Sequence, residues 1–224
     1  MITVSKEDYL KAILEAEGEG QQVISATLAH RLAVSAPAVT MALRRLKRDG
    51  LVSVRSDGRV QLTSEGRQIA RRLMLRHHLI ERMLHEQFGM EWYKTHDEAE
   101  RLEHAVSADF EAKLVAKLGA GGVCPHGNPV MPETAAARRR RGMQLLSAVD
   151  AGRSYRVRST SEHDRKLLEL LDKRGIRPGS TVRVLDRNCD ETMVLDTDAG
   201  KVHLGEVAAE QVWVTPDGDG RRQG

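Results

Sequence analysis

Aromatic side chains are nearly missing from this 224-residue chain, where phenylalanine, tryptophan and tyrosine together make up 3%. Such scarcity argues against a single-strand nucleic-acid binder, which needs aromatic platforms for base stacking. Cysteine is rarer still. Cys124 and Cys189 stand far apart, so there is neither a disulfide framework nor a CxxC site, as in a reducing compartment. No run of about 18 apolar residues occurs, and the opening MITVSKEDYL lacks the apolar core of a signal peptide. A cytoplasmic protein with no membrane segment is the expectation. Neither sign of charge dominates, the net being +3. With 40% hydrophobic and 30% charged residues, the composition is that of a globular protein with ample core for two or three small domains.

What is present is ordered along the chain. Residues 5–17 place Tyr9, Leu10, Ile13 and Leu14 at helical spacing before the loop GEGQQ. Ser25 is placed to cap a short helix, ATLAHRLAV. Ser35 is placed to cap the next, APAVTMALRRLKRDG, with Pro37 in the first turn, where a missing N–H costs little. LVSVRSDGRVQLT then reads as two short strands joined by Ser-Asp-Gly-Arg, a hairpin signal. Ser64 opens a long helix that ends at Gly89. Helix, tight turn, helix, hairpin is the order of a winged helix-turn-helix.

Charge supports that order. Arg44, Arg45, Lys47, Arg48, Arg55, Arg59, Arg67, Arg71 and Arg72 face only Asp49, Asp57 and Glu65 in the same stretch. Phosphate contact requires such a skew. Ser35, Ala36, Pro37, Ala38, Thr40 and Met41 lie at the start of the expected recognition helix, where side chains reach base edges. Arg44, Arg45, Arg48, Arg55 and Arg59 are the expected backbone contacts. The partner is therefore double-stranded DNA.

Beyond Glu91 the stretch HDEAERLEH reads as a helix, with His96, Glu100, Glu103, His104 and Ser107 on one stripe and Ala99, Leu102, Val106 and Phe110 on an apolar stripe beside it. His77 and Glu81 repeat the four-residue spacing on the preceding helix. Imidazoles and carboxylates at the edge of a buried face need pairing or a metal. This set suits Mn²⁺, Fe²⁺, Co²⁺ or Zn²⁺, and its extra carboxylates favour harder ions. In GAGGVCPHGNPVMP, Cys124 and His126 are read as part of a tight turn ahead of a ligand pair. ETAAARRRRGM is read as a surface linker or helix end. From SYRVRS onward, β-rich runs around one helix, EHDRKLLELLDKRG, suggest a small barrel, and DGDGRRQG a disordered tail.

Winged helix, RHHLIE, THDEAERLEH, CPHGNP and terminal barrel, in that order, resemble the diphtheria toxin repressor family of metal-dependent regulators over nearly the whole chain. The resemblance implies a mainly α fold with a β-hairpin wing, divided into a winged helix-turn-helix domain (1–72), a helical metal-binding and dimerisation domain (73–140), a linker (141–152), an SH3-like domain (153–217) and a tail (218–224). It implies a primary metal site at Asp8, Glu100, Glu103 and His104, and an ancillary site at His77, Glu81 and His96. Glu162, His163 and Asp164 are candidates for a contact from the terminal domain, although a capped helix start is the plainer reading of those three. Asp8 and Glu100 stand where iron-responsive members carry Met and Cys, and carboxylates in place of sulfur favour Mn²⁺. Lys11 stands where the two-domain manganese regulators carry a second acid, which speaks against a closely spaced pair of ions.

The resulting expectation is a homodimeric, Mn²⁺-activated repressor of manganese transport genes, bound to a palindromic operator and having no enzymatic activity. An Fe²⁺-responsive repressor of iron uptake is the alternative. A metallohydrolase is disfavoured by the lack of HExxH, of an evident nucleophile and of a glycine-rich phosphate loop. A metal-independent winged-helix regulator, with the polar stripe as an ion-pair network, is the third reading.

Overall fold

The computed structural model describes residues 4–217, so the expected tail at 218–224 lies outside the described residues. Two compact units divide the chain. One runs up to Ile80 and includes Ala99–Gly122 and Pro129–Ala135; the other comprises Glu81–Glu98, Val123–Asn128 and the chain from Ala136. This division differs from the sequence-based boundary near residue 72, because segments 99–122 and 129–135 fold back into the first unit.

The first unit opens with α1 (Val4–Gly18), α2 (Ser25–Arg31) and α3 (Ala36–Arg48). Ser35 caps α3 as expected, its Oγ accepting from the Ala38 N–H at 3.4 Å, with Pro37 in the first turn. Val39, Leu43 and Leu46 fall on one face and are buried. They meet Leu10 and Ile13 of α1, Leu28 of α2, and Val52 and Val60 of the wing. Burying each such side chain stabilises the fold by about 1.5–3 kcal/mol. The wing is an antiparallel hairpin of β1 (Val52–Val54) and β2 (Val60–Leu62). Gly58 turns it at φ +81°, and the Asp57 carboxylate accepts from the Arg59 N–H.

One expected cap is corrected. Ile24, with no side-chain cap bond, precedes α2, and Ser25 is already helical. At α4 (Ser64–Phe88) the hydroxyl that accepts from the Gly66 N–H belongs to Thr63, at 3.1 Å, and Ser64 is the first helical residue. Gly66 itself cannot be larger: a Cβ there would lie 2.1 Å from the Leu51 carbonyl oxygen.

The segment after α4 departs most from the periodicity. α5 (Thr95–Leu102) stops before Glu103 and His104, which sit in a turn, and α6 (Ala108–Leu118) begins anew. Ser107, read as a member of the polar stripe, is instead the N-cap of α6 and accepts from the Phe110 N–H at 3.2 Å. The break leaves Leu102 and Phe110 40% and 44% exposed, so of the expected apolar stripe Ala99 is the member that is buried. Arg76 braces the turn, donating to the Glu103 carbonyl at 2.8 Å and to the Glu111 carboxylate at 2.9 Å.

In the second unit, α7 (Ala135–Arg140) leads to β3 (Gln144–Leu145), β4 (Ser154–Thr160), α8 (Arg165–Lys173), β5 (Thr181–Arg187), β6 (Met193–Thr197), β7 (Gly200–Leu204), α9 (Glu206–Ala209) and β8 (Val212–Pro216). The strands form one antiparallel sheet in the order β3-β8-β4-β5-β6-β7. Val157, Val182, Leu195 and Val214 supply its inner face, and Leu168 and Leu171 of α8 pack on it. The stretch expected to be a linker, 141–152, contributes β3 and the buried Leu146 and Val149 to this core, because its apolar residues find cover there. The basic run before it is likewise structural at one position. Arg138 donates to Ser159 Oγ at 2.8 Å and to Asn128 Oδ1 at 3.0 Å, with its guanidinium 5.3 Å from the centre of the Trp213 ring.

Candidate metal centres

In the first unit, α1 presents Asp8 and the turn after α5 presents Glu103 and His104. One ligand atom from each lies within 4.8 Å of the others. His104 Nε2 is 2.9 Å from Asp8 Oδ1, and its Nδ1 is 2.8 Å from Glu7 Oε2. Glu103 is 1% exposed. His77 Nδ1 lies 2.5 Å from Glu103 Oε2. Lys11 Nζ reaches both Glu103 oxygens, at 3.1 and 3.0 Å. Burial alone would raise Glu103, but the hydrogen bond from His77 and the Lys11 charge outweigh it and hold the carboxyl below its ordinary value. Asp8 moves the other way, raised chiefly by burial, with the attraction of His104 opposing it.

Glu100, also expected in this site, is exposed and is not among the three residues that converge; its charge acts on Lys11. Because α5 ends at Leu102, helical spacing no longer relates Glu100 to Glu103 and His104. The donors that do converge are oxygen and imidazole nitrogen, and an ammonium already sits against the Glu103 carboxylate. The group therefore fits a divalent cation of hard or borderline character.

The second unit holds another group. Ligand atoms of Glu81, Cys124, His126 and Glu162 lie within 4.8 Å of one another. His126 Nδ1 is 3.4 Å from Glu81 Oε1 and 3.6 Å from Glu162 Oε2. Cys124 Sγ is 3.5 Å from Glu162 Oε2, and His96 Nδ1 is 3.3 Å from Glu81 Oε1. His126 is fully buried and its Nε2 has no hydrogen-bond partner. The His126 Nδ1, a thiol and two carboxylates gathered at one buried point fit a metal better than an apolar core. Burial and the charges of Glu81 and Glu162 push the Cys124 thiol well up, so an ion held there would have to displace its proton. Glu162 is held below its ordinary value: burial and Glu81 oppose its charge, while His96, His126 and His163 favour it.

Cys124 and His126 are the residues that the sequence reading set aside as a turn. They do form one, with the Gly127 N–H donating to the Cys124 carbonyl at 2.8 Å. That turn is what aims both side chains inward. Gly127 has φ +80°, and a Cβ on it would lie 1.9 Å from the Arg158 carbonyl oxygen. Asn128 then donates to Glu162 Oε2 at 2.9 Å, orienting the carboxylate. Of the three candidates in the terminal domain, Glu162 enters the group and His163 stands edge-on to His96 at 5.3 Å. Asp164 caps α8, accepting from the Lys166 and Leu167 N–H groups. A Cys-x-His pair next to an Asn would have signalled the site.

The residues expected to meet DNA are exposed: Ser35 at the cap of α3, Ala36, Pro37, Ala38, Thr40, Met41, Arg44, Arg45 and Arg48 on α3, with Arg55 and Arg59 at the wing. Two bases of the wider skew are committed elsewhere, Arg67 to Glu17 at 2.6 Å and Arg72 to Glu111 at 3.0 Å.

These placements coincide with known domains. Residues 1–60 match the iron-dependent repressor N-terminal DNA-binding domain, 63–132 the iron-dependent repressor metal-binding and dimerisation domain, and 144–216 the FeoA domain. The diphtheria toxin repressor of Corynebacterium diphtheriae is 36% identical over 192 residues, 81% of this chain and 84% of that protein. The chain belongs to the diphtheria toxin repressor family. As in that family of metal-dependent transcriptional repressors, the winged helix precedes the metal-binding segment and the SH3-like FeoA domain. The iron-dependent repressor IdeR of Mycobacterium tuberculosis is 35% identical over 191 residues, 80% of this chain and 82% of that protein. A manganese-dependent transcriptional repressor solved in complex with manganese is 34% identical, with a TM-score of 0.78, covering 95% of this chain and 100% of that one. Among the described residues no helix is long and apolar enough to cross a membrane.

Proposed function

We propose that the protein is a homodimeric repressor whose binding to a palindromic operator is switched on by Mn²⁺, and that it controls manganese transport genes. The observation that carries this reading is the convergence of Asp8, from the first helix of the DNA-binding segment, with Glu103 and His104. An ion held by these residues, with His77 beside them, would tie α1 to the turn after α5. It would supply charge neutralisation between carboxylates that otherwise repel. α1 shares its core with α3, through Leu10, Ile13, Val39 and Leu46, so the setting of α1 bears on the recognition helix. The ion acts only through its differential affinity for the DNA-competent arrangement.

Manganese is favoured over iron because the converging donors of the first site contain no sulfur. The second group, Glu81, Cys124, His126 and Glu162 with His96 beside them, includes a thiol and accommodates softer ions as well. Gel-shift titration at matched free Mn²⁺, Fe²⁺, Co²⁺ and Zn²⁺, against an EDTA control, tests the reading. Mn²⁺ should raise operator affinity at the lowest free concentration relative to its cellular supply. Equal affinity with and without EDTA would remove metal gating.

A further inference from the structure

One buried side chain in the first site is not a ligand. Lys11 lies one turn after Asp8 on α1, with Nζ 3.0 and 3.1 Å from the two Glu103 oxygens and 3.1 Å from His77 Nδ1. Its neighbours on α1, Leu10, Ala12, Ile13 and Leu14, are buried apolar residues, and a neutral side chain would pack there without desolvating a charge. The ammonium is thus placed on the very carboxylate and imidazole that a metal ion needs.

We propose that Lys11 is a tethered competitor for the metal, a built-in cation that sets the free-ion concentration at which the first site fills. The proposal rests on the reading of Asp8, Glu103 and His104 as a metal site. A divalent ion ligated by Glu103 either takes an oxygen that Lys11 holds or shares the carboxylate with it. In the second case two positive charges stand a few ångströms apart in a buried place, where repulsion is far stronger than in water. Both outcomes weaken binding of every divalent ion, so Lys11 raises the threshold without choosing between metals.

The test is direct Mn²⁺ titration of the full chain by calorimetry, with Mn²⁺ alone as the probe. Wild type, Lys11→Gln, Lys11→Met, Lys11→Arg, Asp8→Ala and the Asp8→Ala/Lys11→Gln double variant are compared, with folding followed by circular dichroism. Removing the charge should tighten the Asp8-dependent site about tenfold or more, with no added ion, while Lys11→Arg, which keeps the charge, stays within about threefold. The double variant should lose the gain. Unchanged or weaker binding by folded Lys11→Gln overturns the proposal, as does failure of both neutral variants to fold, which would make Lys11 a structural tie. Wild type binding Mn²⁺ no better than Asp8→Ala is a separate result: it removes the metal site itself, whatever the Lys11 variants show.

Discussion

His104 Nε2 lies 2.9 Å from Asp8 Oδ1, joining a residue of the first helix to one ninety-six positions later. That bond brackets the place where the ion is proposed to act. Asp8→Ala and Glu103→Ala should each abolish the metal-induced gain in operator affinity, a coupling of about 5–150-fold. Each should leave the weak, metal-independent DNA affinity in place. Gel shifts with and without Mn²⁺ check this, and a retained response would exclude that residue as a ligand.

The thiol in the second group makes a prediction about softness. Cys124→Ser should lower Cd²⁺ and Zn²⁺ affinity by about tenfold or more while changing Mn²⁺ affinity little, because oxygen serves a hard ion as well as sulfur does. Competition titration with a chelator of known affinity reads the difference. In the wild type, where burial and the two carboxylates keep the thiol protonated, ion binding expels that proton. Affinity for Zn²⁺ should therefore rise with pH more steeply in wild type than in Cys124→Ser.

Glu103 makes a prediction about acid stability. Its carboxyl is held below the ordinary value by His77 and Lys11 despite burial, so the folded state binds fewer protons than the unfolded state in that window. The stabilisation is complete above the unfolded carboxylate value of about 4.3 and is lost as pH falls through the folded value. Glu103→Gln should be less stable at neutral pH by about 3–5 kcal/mol, as for a buried pair broken on one side. Urea melts across pH should show the gap between the two proteins narrowing on the acid side.

Arg44 and Arg45 are exposed on α3. Replacing both with Ala should weaken DNA binding across sequences and flatten the dependence of log K on log salt by about 0.9 per lost phosphate contact. Fluorescence anisotropy at several salt concentrations measures the slope, and an unchanged slope would place phosphate contact elsewhere.

The parts of the molecule that were legible in the sequence are those governed by local chemistry. Ser35 and Pro37 mark the start of α3, Asp57-Gly58 turns the wing, and the spacing of apolar residues carries α4 from Ser64 to Phe88. Periodicity misled where a local cap competed with it: Ser107 starts a new helix, so the stripe drawn through Glu100, Glu103 and His104 is broken. Position in space was the other blind spot. Nothing near Cys124 or His126 in the chain shows that Glu81 and Glu162, thirty-six and more residues away, will face them. The run 141–152 looked like a connector because its buried residues, Met143, Leu146 and Val149, are few and irregularly spaced, and only the terminal sheet reveals what they cover.

Cys124 carries a last consequence. Oxidants attack the thiolate form of cysteine, and only where they can reach it. The same enclosure that resists deprotonation of Cys124 leaves it 5% exposed, so the soft donor of the second group is shielded from peroxide by its own surroundings. Exposed Cys189, with no such cover, is where oxidative damage to this chain should begin.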